Sequence, residues 1–357
     1  MNAFPSMTSR GVFIEIGQSS LKALQGDDGL ELPIERLESG PLTASCREKL
    51  VSGLKTFLNR GGSSQRSQAL CAVGARGVSL RRLTLPASSE EELRRLLVLQ
   101  IESEFPLPPD ELAWGFCPAG NHRAMAIDGQ ELIIVAVKKE VIEEYASMLA
   151  ECGLSPVFTL GALARGSLCP HPPSSYALLD IGRRQSEMIS VDNGVPVSVR
   201  VLPWGGDNIT NAIERQLAIS PDEAERLKID LQQDSVANRD AGQNVRGAIR
   251  AEVSSLAALI PRKSIGQKLY LTGKSAQLKE LAPWLSEALD GGVECERIDF
   301  LPSRGRSSAI LGLKRNLEHA GSSPQLVIET GQKKAPAARV RPAEWKWAAL
   351  ACLLVLG

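Results

Sequence analysis

The chain has 357 residues, of which 43% are hydrophobic, and its 41 basic and 41 acidic residues balance. That length exceeds one ordinary core and calls for two or more subdomains, while the neutral balance excludes a general electrostatic attraction to nucleic acid. Seven scattered cysteines without a C-x-x-C pair fit a reducing compartment, and three histidines with no ligand spacing argue against a zinc site.

The opening "MNAFPSMTSR" lacks the apolar core of a signal peptide, so the bulk of the chain is expected inside the cell. Next comes "VFIEIGQSSLKALQGDDG", residues 12–29, which predicts strands at 11–16 and 20–25, a turn at Gly26-Asp27-Asp28-Gly29 and a third strand at 30–37. A helix follows at 45–59. Glu15 is the oddity, an acid at the end of a run that reads as buried. A second copy explains it: "ALLDIGRRQSEMISVDNG", residues 177–194, aligns without a gap and pairs Glu15 with Asp180, Gly17 with Gly182 and Asp27 with Asp192. The copy predicts three antiparallel strands over 176–202, with Asn193-Gly194 as a strong hairpin signal, and a helix at 207–218.

Between the copies, residues 80–155 form a distinct α+β insert. A strand ending at Pro86 leads into "SSEEELRRLLVLQIESEF", where Ser88 or Ser89 and Glu91 or Glu92 make a capping box. Leu93, Leu96, Leu97, Ile101 and Phe105 give that helix one apolar face, and Pro106 stops it. "ELIIVAVKK" (131–139) reads as a buried strand, and Val141, Ile142, Tyr145 and Leu149 line a helix that Gly153 closes. The proline-braced "EFPLPPDELAWGF" carries Phe105, Trp114 and Phe116, the composition of a peptide-binding surface with a few large anchors.

Beyond the second copy, 231–245 is polar and reads as loop, 246–260 as helix, "QKLYLTG" (267–273) as a strand delivering Gly273, and 276–289 as helix. Residues 316–344 read as a linker. Residues 345–357 read as the start of a transmembrane helix, shorter than the roughly 20 residues a full span needs. Trp345 and Trp347 suit the membrane interface, and Lys333, Lys334, Arg339, Arg341 and Lys346 before the apolar run place the body in the cytoplasm.

Two hairpins with an acid-Ile-Gly turn can face each other across a cleft, each offering backbone amides to a phosphate chain. A carboxylate at each strand end would hold Mg²⁺ through water. The same glycines also serve tight turns alone, and Glu15 and Asp180 can also be read as exposed turn carboxylates, so both readings stand at this stage.

The ordered set "EIGQSSLK", "DIGRRQSEM", "PWGGDNIT" and "LTGKSAQL" resembles the actin-like ATPase superfamily. The insert sequences "LRRLLVLQIESEFPLPPDELAWGF" and "IIVAVKKEVIEEYASMLAECGLSP" resemble the pilus-assembly protein PilM and the cytoplasmic part of the type II secretion protein GspL, relatives of the cell-division protein FtsA. The resemblance covers residues 11–315. It implies an α/β, duplicated, ribonuclease H-like fold: a first subdomain at 10–79 and 156–175, the insert at 80–155, and a second subdomain at 176–315 with 211–264 appended.

The resemblance also implies ATP and Mg²⁺ as ligands. The first phosphate loop falls on Glu15, Gly17, Gln18, Ser19 and Ser20, followed by Lys22. The second falls on Asp180, Gly182 and Arg183; Gly205 and Gly206 lie in the "PWGGDNIT" motif, and the adenosine turn falls on Gly273 and Lys274. Glu15 and Asp180 would hold the metal. Each loop departs from the family pattern: Glu15 replaces an Asp, Arg183 and Arg184 stand where small residues are usual, and Lys274 replaces a glycine. The expected result is a degenerate ATPase with weak or no turnover.

For partners, the resemblance implies inner-membrane assembly proteins of a pilus or secretion machine, including its assembly ATPase, met at the insert. Competing readings are an ATPase or sugar kinase of the same superfamily, and an FtsA-like division protein that polymerises at the membrane.

Overall fold

The computed structural model describes residues 11–38, 40–59, 67–119, 129–232, 239–298 and 305–318. β1 (Val12–Ile16) and β2 (Ser20–Gln25) form an antiparallel hairpin that β3 (Asp28–Pro33) extends, and α1 (Ala44–Asn59) buries Cys46, Leu50, Leu54 and Phe57. β4 (Ser67–Val73) then lies parallel to β1. The insert follows as β5 (Ser79–Leu85), α2 (Glu90–Glu104), β6 (Leu112–Pro118) and β7 (Gln130–Lys138). α3 (Lys139–Glu151) leads back to β8 (Leu154–Leu160), which pairs in parallel with β4, and to the short α4 (Gly161–Gly166).

The second half runs β9 (Tyr176–Ile181), β10 (Ser186–Asp192), β11 (Val195–Leu202), α5 (Gly206–Leu217), α6 (Pro221–Gln232) and α7 (Arg239–Leu259). β12 (Lys268–Thr272), α8 (Leu281–Ala288), β13 (Glu294–Arg297) and α9 (Ser308–Glu318) complete it. The two five-stranded sheets have the orders β3-β2-β1-β4-β8 and β11-β10-β9-β12-β13. Each is an antiparallel triad followed by two parallel strands, so the duplication seen in the sequence is a duplication of topology.

The insert is a three-stranded antiparallel sheet, β5-β7-β6, whose central strand β7 is buried on both faces from Leu132 to Val137. Ile133, Val135 and Val137 join the main core, while Leu132, Ile134 and Ala136 meet Leu93, Leu97 and Ile101 of α2. Ser89 caps α2 by accepting from the Glu92 amide at 3.3 Å.

Some expectations are corrected. β4, β6, β8 and β13 were not distinguished in the sequence. The stretch 231–245 read as loop contains the last two residues of α6 and the start of α7; residues 233–238 lie outside the described residues. The range 176–315 assigned to the second half ends in α9, which packs on the first sheet: Ala309 and Leu313 cluster with Leu70, Ala72 and Ala164. The contact requires Gly312, since a Cβ there would stand 2.1 Å from the Ala164 carbonyl oxygen. Residues 316–318, read as linker, finish α9. The remaining linker and the apolar run at 345–357 lie outside the described residues, and among those described no helix is long and apolar enough to cross a membrane.

Candidate functional site

The duplicated hairpins bring their acids together. Across the first, Glu15 faces Lys22; across the second, Asp180 faces Glu187. Each chain turns tightly just after its acid. The Gly17 amide donates to the Ser20 carbonyl at 3.0 Å, and a Cβ at Gly182 would stand 2.6 Å from the Gln185 carbonyl oxygen. Gly273 follows β12 at φ +98°, where a Cβ would clash with the Ile181 carbonyl oxygen, so glycine is demanded by both space and dihedral.

These strand ends line a cleft of about 670 Å³ between the halves, within the range of small-molecule sites. It gathers Gly17, Gln18, Ser19, Ser20 and Lys22 from the first hairpin, Asp180, Gly182 and Arg183 from the second, and Gly206, Gly273 and Lys274 beyond them. Gly205 sits behind the second loop: a Cβ there would stand 2.5 Å from the Arg183 carbonyl oxygen, so its role is close packing.

Many of the expected phosphate donors are already engaged. The first amides of α5 donate into the second loop, Gly206 to the Gly182 carbonyl at 2.9 Å and Asp207 to the Arg183 carbonyl at 2.8 Å. Lys274 reaches across the cleft to both carboxylate oxygens of Glu31 at 3.2 Å, and Arg183 pairs with Asp207 at 3.1 Å. Lys228, missed in the sequence, is buried beneath the α5 terminus; it donates to the Gly206 carbonyl at 3.1 Å and to Thr210 at 2.8 Å, and pairs with Glu225 at 2.6 Å.

Arg165, also missed, is the centre of the site. It projects from α4 and is only 3% exposed. Its Nη2 lies 2.6 Å from Glu15 Oε1 and 3.0 Å from Asp180 Oδ2, and its Nη1 donates to Glu187 Oε2 at 2.9 Å. Its Nε donates to Ser308 Oγ at 3.1 Å, and Ser308 donates to Asp180 Oδ1 at 3.3 Å. Lys22 Nζ holds the other oxygen of Glu15 at 3.1 Å. The Ala75 amide holds Glu187 Oε1 at 2.7 Å.

Charge within this cluster is uneven, three carboxylates against two cations. Burial alone would raise Glu15, but Lys22, Arg165 and a Ser307 hydrogen bond outweigh it and hold the carboxyl at about 2. Burial raises Asp180 and Glu187 in spite of Arg165, and each also feels the Glu15 charge. Burial works against the charged Arg165, yet the carboxylates around it raise its pKa.

The two acids expected to hold Mg²⁺ through water, Glu15 and Asp180, both engage Arg165. Mg²⁺ usually keeps several of its waters, and here the position between the two acids is taken by the Arg165 Nη2, 2.6 Å from Glu15 and 3.0 Å from Asp180. Among the described residues no group of three or more His, Cys, Asp or Glu side chains is arranged to hold a metal ion.

The insert aromatics divide. Phe105 is a core residue: its amide ends α2 by donating to the Ile101 carbonyl at 3.1 Å, and its ring packs in the insert core with the Arg81 guanidinium over it. It is no surface anchor, because the last turn of an amphipathic helix keeps to the apolar face. Trp114 and Phe116 are half-buried on β6, with Arg94 5.6 Å from the Phe116 ring centre.

Comparison with known proteins places the fold. Residues 177–335 match the family of cell division protein FtsA. A solved PilM-PilN type IV pilus biogenesis complex contains a chain 21% identical, aligned over 87% of this chain and 99% of that one with a TM-score of 0.63. The ethanolamine utilization protein EutJ from Carboxydothermus hydrogenoformans is 15% identical over 84% of this chain and 87% of its own, with a TM-score of 0.51. The cytoplasmic domain of EpsL, an inner membrane component of the type II secretion system of Vibrio cholerae, is 11% identical over 86% of this chain and 94% of its own, with a TM-score of 0.41. The chain has the actin-like ATPase fold.

Proposed function

We propose that this chain is the actin-like cytoplasmic platform of an inner-membrane machine of the type IV pilus or type II secretion kind, binding partner subunits without turning over ATP. The observation that carries the reading is the engagement of Glu15 and Asp180 by Arg165. Phosphoryl transfer depends on positioning and metal electrostatics, and both carboxylates already serve a guanidinium. The assembly role draws support from the likeness in fold to a protein solved within a pilus biogenesis complex. In this reading the segment 345–357 begins the membrane anchor, and inner-membrane assembly proteins, the assembly ATPase among them, dock near Trp114 and Phe116 on the insert.

The match to FtsA over 177–335 favours a second reading, a membrane-tethered division protein. Affinity purification of the full chain from detergent-solubilised membranes of its own cells separates the two. Pilus or secretion components among the co-purifying proteins are the expected result. Division proteins in their place would select the second reading, and recovery of the chain without any membrane fraction would remove the anchor from either.

A further inference from the structure

Arg165 sits where two strand-end acids of a duplicated fold converge. One of its nitrogens touches both, Glu15 from the first half and Asp180 from the second, and another holds Glu187 of the second half. All three guanidinium nitrogens are engaged, because Nε donates to Ser308. A guanidinium stays charged at every pH a folded protein survives, and its planar fork suits several carboxylates at once.

The surroundings are shaped for this arrangement. A Cβ at Gly161 would stand 3.3 Å from Arg165 Nη1, and one at Gly74 would stand 2.7 Å from Glu187 Oε1. Glycine at these positions leaves room for the arginine and for one of its acids. The Ala75 amide fixes Glu187 from the first half, so the cluster crosses the cleft by two routes.

We propose that Arg165 is a resident cation in place of a divalent metal, fastening the two halves of the body across the cleft so that its closure needs neither metal nor nucleotide. The inference goes beyond the platform reading and concerns how the body is held, so it stands or falls separately from the identity of any partner.

The test uses the full chain, followed by thermal unfolding and by calorimetric titration with Mn²⁺. For the wild type, the midpoint is expected to be the same in EDTA, in Mg²⁺ and in Mg²⁺ with ATP, with no Mn²⁺ binding that Asp180→Asn abolishes. Arg165→Ala is expected to lower the midpoint by on the order of 10 °C and to gain what the wild type lacks, a midpoint that rises with Mg²⁺ or Mn²⁺ as the ion enters between the freed carboxylates. Arg165→Lys should recover part of the loss without metal. A wild-type midpoint raised by Mg²⁺ and made indifferent to it by Asp180→Asn would overturn the proposal. So would a folded Arg165→Ala protein that ignores divalent ions, which would leave the arginine a purely structural residue. Should Arg165→Ala fail to fold, the wild-type Mn²⁺ titration and the Arg165→Lys protein decide.

Discussion

Lys22 and Glu187 occupy equivalent positions in the two hairpins, each directly across from its strand-end acid, and they carry opposite charges. The duplication is therefore symmetric in backbone and antisymmetric in charge at this point. Lys22 neutralises Glu15 locally, whereas Glu187 adds a second acid beside Asp180 and leaves Arg165 to compensate both. Removal of either cation should thus have unequal effects. Arg165→Met strands buried carboxylates and is expected to cost about 3–5 kcal/mol; Lys22→Met removes one partner of Glu15 and is expected to cost about 1–3 kcal/mol. Urea unfolding at neutral pH measures both, and a larger loss for Lys22→Met would contradict the ranking.

Glu15 gives a pH signature. Its folded carboxyl lies at about 2 against an ordinary value of 4.5, so between those values the unfolded chain binds more protons. Its contribution to stability is fully present above pH 4.5 and fades as pH falls toward 2. Asp180 and Glu187 are raised by burial and act in the opposite sense, disfavouring the fold as pH rises through their range. The quantity to measure is the difference in unfolding free energy between wild type and Glu15→Gln. It should be flat from pH 7 down to about 5 and shrink below that. A difference that widens on acidification would refute the assignment.

The α4–α9 crossing is expected to be intolerant of a methyl group. Gly312→Ala would place a Cβ against the Ala164 backbone, which cannot yield as a flexible side chain could. The expected loss is about 1–3 kcal/mol of overpacking strain. Gly166→Ala, where nothing lies within 4 Å of the added carbon, serves as the control.

No ATP turnover above background is expected from the purified full chain. A steady-state rate that disappears in Asp180→Ala would show that the acid cluster opens to a metal, and would overturn the non-catalytic reading.

The insert aromatics should separate stability from binding. Phe105→Ala empties a buried site and is expected to cost about 3–5 kcal/mol of stability. Trp114→Ala, on a half-buried strand position, should leave the protein folded and weaken a docked partner by about 1–4 kcal/mol. Calorimetry against a co-purified partner measures the second effect, and unchanged affinity would take Trp114 out of the interface.

The duplicated hairpins were legible because each carries its own turn residues and its alternation within a few neighbouring residues. α2 was legible through its cap and its apolar stripe. β4 and β8 were not, because "SQALCAV" is a short apolar run and "LSPVFTL" carries Pro156 within it, which argues against a strand. Their identity as parallel neighbours depends on partners far away in the chain. Arg165 left a faint signal, a lone charge within the apolar "LGALARGSL", which reads as an ordinary helix residue until three acids are brought to it by separate strands. Glu187 was within reach of the repeat alignment, which already pairs it with Lys22.

The return of α9 to the first sheet determines where a mechanical load would enter the body. A pull transmitted through the chain beyond Glu318 reaches α9 before any other described element, and α9 rests on α4 and the first sheet through Gly312, Ala309 and Leu313. At its opposite end, the first turn of α9 carries Ser308, which bridges Arg165 and Asp180. A load carried along α9 would therefore meet, at the far end of that helix, the point where Arg165 ties the two halves.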